Sequence, residues 1–179
     1  MKYITLAAAL ALSACQSYTP SSRFDGTPMF VVKNLQPGML AGTWYQVASF
    51  PTPFMDGCHL NTATYTPLPD GRINLVNQCQ MVDQPGVFRQ QQGIGTISGP
   101  GQLTVRTGSA LNTRIWVLDI SRDGRTVILA SPNRQAGWVL QRERKVTPEQ
   151  LDRAREVYAR NGFDAAALQV TRQGPLWSR

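Results

Sequence analysis

The chain is poor in the groups that carry acid–base, nucleophilic and metal chemistry. Its 179 residues hold one histidine, three cysteines and 11 acidic residues against 18 lysines and arginines. His59 lacks a recognisable nucleophile and orienting acid, and neither G-x-S-x-G nor H-E-x-x-H occurs, so no catalytic residue is assigned. One histidine beside two cysteines is an incomplete ligand set, and no metal or other cofactor is implied. Gly93, Gly95, Gly99 and Gly101 fall in a strand-and-turn pattern rather than between a strand and a helix, which excludes a phosphate loop. Long apolar runs are missing too, since the run over 4–11 is far shorter than the roughly 20 residues that span a bilayer.

The formal charge is +7. Its basic residues are scattered, with the densest group at Arg142, Arg144 and Lys145, followed by Arg153, Arg155 and Arg160. They read as a solvated face, with weak attraction to anionic lipid headgroups as the other reading. Nucleic acid is not an expected partner, because the start of the chain marks it for export.

That start combines Lys2 with the short apolar run, the pattern of a removable signal over 1–14. It ends in Leu12-Ser13-Ala14-Cys15, which resembles a bacterial lipobox, so Cys15 is expected to be lipidated and to begin the mature protein. Gln16 follows where inner-membrane retention uses Asp, which implies anchoring at the outer membrane, facing the periplasm. Residues 15–28 then form the lipidated terminus and a polar tether rich in Ser, Thr and Pro. As a flexible coil, such a segment spans roughly 20 Å. The folded body is expected over 29–179.

From residue 42 onward, short β-rich segments alternate with turn signals at 51–57, 67–71, 83–86, 99–101, 108–112, 122–124 and 132–137. Seven breaks make eight strands, and the absence of helical inserts argues for antiparallel neighbours. The expected fold is all-β, an eight-stranded antiparallel up-and-down barrel, with a β-sandwich as the alternative. Thr147-Pro148-Glu149-Gln150 then has the form of a capping box with proline at the first helical position. Leu151, Ala154, Val157 and Tyr158 follow helical spacing, and Asn161-Gly162 supplies a stop, which predicts one amphipathic helix over about 148–161 packed outside the barrel.

In a closed barrel of eight strands, the start of the first and the end of the eighth meet at one end. Trp44 begins the first and Arg142 ends the eighth, so a guanidinium stacked on the indole is expected to latch the seam, with Gly42 allowing close backbone approach. Cys58 and Cys79 have their midpoint inside the turn at 67–71. A simple hairpin would set them opposite each other with Cα atoms about 4.5 Å apart, within reach of a disulfide.

Gly42-Thr43-Trp44 resembles the G-x-W signature of the lipocalin family, and Trp138-Val139-Leu140-Gln141-Arg142 resembles its W-x-L-x-R segment. Residues 61–65 and 71–77, with the tail Gly162-Phe163-Asp164, are similar to the subgroup holding bacterial outer-membrane lipocalins and apolipoprotein D. The middle T-D-Y motif of the family is represented by Leu118-Asp119-Ile120. Alternation puts Asn61, Ala63 and Tyr65 on one face of the second strand, Ile73, Leu75 and Asn77 on one face of the third, and Trp138 and Leu140 on one face of the eighth. The resemblance implies that Tyr65, Asn77, Trp138 and Leu140 face a ligand cavity, joined by Ala63, Leu75, Ile115 and Val117.

The expected partner is therefore a small hydrophobic ligand or lipid, of the fatty acid or lysophospholipid class, with Tyr65 and Asn77 orienting a headgroup. Contact with the membrane is through the lipid anchor, and the oligomeric state is left open. Two readings from other classes stand beside it: an isomerase or lipid hydrolase on the same barrel, and a ligand-free envelope interaction protein whose core is filled by its own side chains.

Overall fold

A computed structural model describes residues 28–108 and 112–174. Cys15, the expected signal over 1–14 and nearly all of the expected tether lie outside these residues. Eight strands follow the turn signals closely: β1 (Gly42–Ser49), β2 (Cys58–Pro67), β3 (Ile73–Met81), β4 (Phe88–Gly99), β5 (Gln102–Thr107), β6 (Asn112–Ile120), β7 (Thr126–Ala130) and β8 (Gly137–Gln141). Each pairs antiparallel with the next, and β8 returns to β1 with Tyr45 opposite Gln141. A closed barrel results, and the sandwich is excluded.

The lower half of β1 pairs with β2 from Gly42 opposite Tyr65 to Tyr45 opposite Thr62, and there the pairing stops. Above that level the two strands part. A two-residue strand, β9 (Gln169–Val170), pairs instead with Ala48 and Ser49. Thr171 donates its backbone N–H to the Val47 carbonyl at 2.8 Å, and the Leu60 N–H reaches the Arg172 carbonyl at 3.2 Å. The Gln173 carboxamide bridges the parted strands, donating to the carbonyls of Gln46 (2.6 Å) and Asn61 (3.1 Å). Backbone groups that the split would leave open are thus satisfied by the C-terminal segment.

A short helix, α1 (Pro37–Leu40), places Leu40 in the closed end of the barrel. The second helix, α2 (Pro148–Arg160), opens on a complete capping box: Thr147 Oγ1 accepts from the Gln150 N–H, and Gln150 Oε1 accepts from the Thr147 N–H. Ala154, Val157 and Tyr158 are its buried side chains, packed on the outer barrel face with Val47, Ile128 and Val139. Phe50, Tyr158 and Phe163 form an aromatic cluster with centroids 4.8 to 5.3 Å apart. Such pairs add to their burial through edge and stacking geometry. Tyr158 keeps its hydroxyl satisfied by donating to the Leu129 carbonyl at 2.8 Å. Asp119, from the middle motif, receives Arg153 of α2 at 2.9 Å. The barrel therefore has two apolar layers, one inside its closed end and one between its outer face and α2.

Candidate functional site

The two ends of the barrel differ in how completely side chains fill them. At the closed end, Trp44 is fully buried and its Nε1–H donates to the Leu40 carbonyl at 2.7 Å. The Arg142 guanidinium lies over the indole, 3.4 Å from the ring centroid to Cζ, and donates to the carbonyls of Ala41 (2.6 Å) and Thr43 (3.0 Å). Gly42 has φ +95°, and a Cβ there would lie 3.0 Å from Arg142 Nη1. The positive φ favours glycine there, and a Cβ would also press on the guanidinium. Immediately above, Leu40, Ile73, Leu75 and Leu103 leave a void of only about 10 Å³. Gly95 belongs to this packing, since a Cβ there would meet Leu75 Cδ1 at 2.7 Å.

Above this floor the barrel opens into a cavity of about 350 Å³. Tyr65, Ile115 and Leu129 border both spaces and so divide them. Ala63, Leu140 and Trp138 supply apolar wall, while Gln46, Asn61, Asn77 and Gln91 supply carboxamides. Thr52 and Met55, from the loop after β1, stand at the mouth with Arg89 and the Cys58–Cys79 disulfide. Arg89 Nη2 donates to Cys58 Sγ at 2.7 Å. Burial pushes the Tyr65 phenol above the ordinary tyrosine range.

Of the residues expected from alternation and resemblance, Tyr65, Asn77, Trp138, Leu140, Ala63 and Ile115 line the cavity. Two are placed otherwise. Leu75 packs in the small void below the floor, and Val117 is fully buried in the closed-end core. Both face inward; alternation reports facing but not height along the barrel.

The cysteines also differ from expectation in register. The hairpin is centred on Asp70, with Tyr65 opposite Leu75, and Cys58 stands opposite Met81 rather than Cys79. Leu60 and Asn61 together oppose Cys79, a bulge marked by φ 52° at Leu60. The bulge brings the cysteines diagonally together with Cα atoms 5.5 Å apart, and the disulfide forms. It also turns Cys58 toward the cavity while His59 is buried outside its lining.

Gln46, Arg89, Gln91, Thr113 and Leu129 line the cavity without having been singled out from the sequence. For Gln46 the signal was present, because the alternation that turns Trp44 inward turns Gln46 inward as well. Arg89 had none, because its place at the mouth depends on the long β3–β4 pairing that sets it opposite Cys79.

Comparison with known proteins places these features in a wider set. The family model described as a lipocalin-like domain matches residues 38–173. The outer membrane lipoprotein Blc of Escherichia coli K12 is 29% identical over 167 residues, covering 89% of this chain and 88% of that protein. Temperature-induced lipocalin-1 of Arabidopsis thaliana is 29% identical across 81% of this chain and 83% of its own. Apolipoprotein D of Macaca fascicularis is 25% identical across 80% and 79%. Among solved structures, insecticyanin from the tobacco hornworm Manduca sexta shares the fold with a TM-score of 0.63 at 16% identity, over 81% of this chain and 84% of that one. The cockroach allergen Per a 4 gives a TM-score of 0.66 at 15% identity, over 83% and 94%.

Proposed function

The chain belongs to the lipocalin-like domain family, and from that premise we propose that it captures one small lipid, a fatty acid or lysophospholipid, and releases it unchanged. The observation that carries this reading is the cavity of about 350 Å³ above a filled floor. Its size falls at the lower end of the range for small-molecule sites, and its lining joins apolar wall to a few polar groups. Trp138, Leu140, Ala63 and Ile115 would contact the chain of the ligand. Tyr65 and Asn77 would orient its polar part.

Capture without conversion is the reading that the lining favours. Its cysteines are joined in a disulfide, and burial moves the Tyr65 phenol still further above the neutral range. Among the described lining residues no carboxylate or histidine stands as a general base.

The lipobox ending at Cys15 supports a lipid anchor, with the signal at 1–14, the tether at 15–28 and the folded body at 29–179. Gln16 and the name of the Escherichia coli relative, an outer membrane lipoprotein, favour the outer membrane, with the body facing the periplasm. Two measurements test the proposal. Solvent extraction of protein purified from a bacterial envelope should yield one single-chain lipid per barrel by mass spectrometry, and incubation with that lipid should return it unaltered. A chemically changed lipid would favour an enzyme, and a protein that neither carries nor binds any lipid would favour the ligand-free envelope role. Cys15→Ser should remove the diacylglyceryl mass and release the protein from the membrane fraction; normal acylation of the variant would refute the anchor.

A further inference from the structure

The split between β1 and β2 leaves a feature that capture of a hydrocarbon chain does not use. The last β1–β2 pair is Tyr45 opposite Thr62, so Gln46 and Asn61 are the next residues across from each other. Their backbones remain tied through Gln173, while their side chains line the cavity. The two residues are 7% and 6% exposed. Among the described residues, Gln46 Nε2 and Asn61 Nδ2 have no hydrogen-bond partner. Two adjacent, buried amide nitrogens without partners are costly, since each has given up its bonds to water and made none in their place. Leucine at either site would avoid that cost.

We propose that Gln46 and Asn61 form a subsite for an uncharged polar group, a hydroxyl, carbonyl or amide, carried on an alkyl or acyl chain, and that the subsite disfavours ionised groups. The proposal rests on the reading of the cavity as a lipid site. One oxygen placed between the two carboxamides can accept from both, and a hydroxyl or primary amide suits either orientation of each side chain because it donates as well. An ionised carboxylate or phosphate at this level would be buried against neutral groups alone, which is unfavourable. The one cation among the described lining residues is Arg89, at the mouth beside the disulfide. Ionised groups are therefore disfavoured between these two carboxamides, and uncharged ones reach them.

The test compares probes of one chain length and different heads: dodecanol, lauramide and monolauroylglycerol against laurate at neutral pH. Binding to the purified protein is followed by calorimetry, with Gln46→Leu, Asn61→Leu and the double variant. Each single change should weaken the three uncharged probes about tenfold and laurate less than twofold. Equal losses for charged and uncharged heads, or no loss for either, would overturn the subsite while leaving the lipid reading intact. Failure of every probe to bind the unaltered protein would overturn both. Should the variants misfold, side-chain amide NMR of the unaltered protein decides the matter. The Gln46 and Asn61 amide resonances should shift on adding dodecanol and stay in place on adding laurate, and unmoved resonances with bound dodecanol would refute the proposal.

Discussion

Truncating the two partners of the closed-end latch, singly and together, measures how much the meeting of the chain's two ends holds the barrel shut. Trp44 has no exposed surface and fills the closed end, so Trp44→Ala should cost about 3 to 5 kcal/mol as a large core truncation. Part of this is the Nε1–H bond to Leu40, worth about 1 kcal/mol. Arg142→Ala removes a guanidinium stacked at 3.4 Å and two donations to backbone carbonyls. Stacking of this kind contributes about 0.5 to 2 kcal/mol. Because the side chain is only half buried, its hydrogen bonds are partly replaced by water, and a total loss of about 2 to 3 kcal/mol is expected. Arg142→Lys keeps the charge but not the planar fork, so it should recover less than half of that loss. Equilibrium urea unfolding with the disulfide intact, followed by far-ultraviolet circular dichroism, gives each value independently of tryptophan emission. The double-mutant cycle should show coupling of about 1 kcal/mol. Additivity within about 0.3 kcal/mol would refute a direct Trp44–Arg142 interaction.

Three further outcomes follow from other parts of the molecule. Replacing Cys58 and Cys79 with serine should lower stability by about 3 kcal/mol on loop-closure grounds, read as a lower urea midpoint; an unchanged midpoint would show that the cross-link adds nothing to the hairpin. Gly137→Ala should be destabilising, because its Cβ would lie 2.7 Å from the Tyr158 ring, and a calorimetric melting temperature equal to that of the unaltered protein would show that α2 can move aside without cost. Burial raises both the Tyr65 and Tyr158 phenols above the unfolded value. Stability from these groups is therefore full below about pH 10, and it falls as pH rises further because the unfolded chain releases protons that the folded one retains. Urea midpoints measured from pH 9 to 11 should decline, and Tyr158→Phe should flatten the decline; a midpoint that rises across this range would contradict the assignment.

Much of the architecture could be read from punctuation and alternation. The turn residues between strands carry local conformational demands, as at Gly71, where φ is +81°, and so they mark strand ends without knowledge of the fold. The capping box of α2 is equally local, and each of its bonds joins residues three apart. The latch was accessible because closure of eight strands dictates which chain ends meet. What escaped depends on relations that no single segment contains. Strand β9 is two residues long and forms because the split between β1 and β2 offers it a partner, not through any pattern of its own. The bulge at Leu60 and Asn61 shifts the cysteine register and turns His59 away from the cavity, although nothing in those residues announces it. Height within the barrel is likewise a tertiary property, which is why Leu75 and Val117 share the inward face with Tyr65 yet lie in the filled end.

Titration of the purified, lipid-stripped protein with laurate and a lauroyl lysophospholipid, following tryptophan emission, tests capture in the cavity most directly. Among the described tryptophans Trp138 lines the space, whereas Trp44 is sealed in the floor and Trp116 packs against the outer layer, so the change in emission should come from Trp138 and vanish in Trp138→Phe. The account predicts saturable, one-to-one binding at micromolar concentrations, weakened by Tyr65→Ala, with the lipid recovered chemically intact. No saturable signal from either lipid, with calorimetry equally silent, would contradict it.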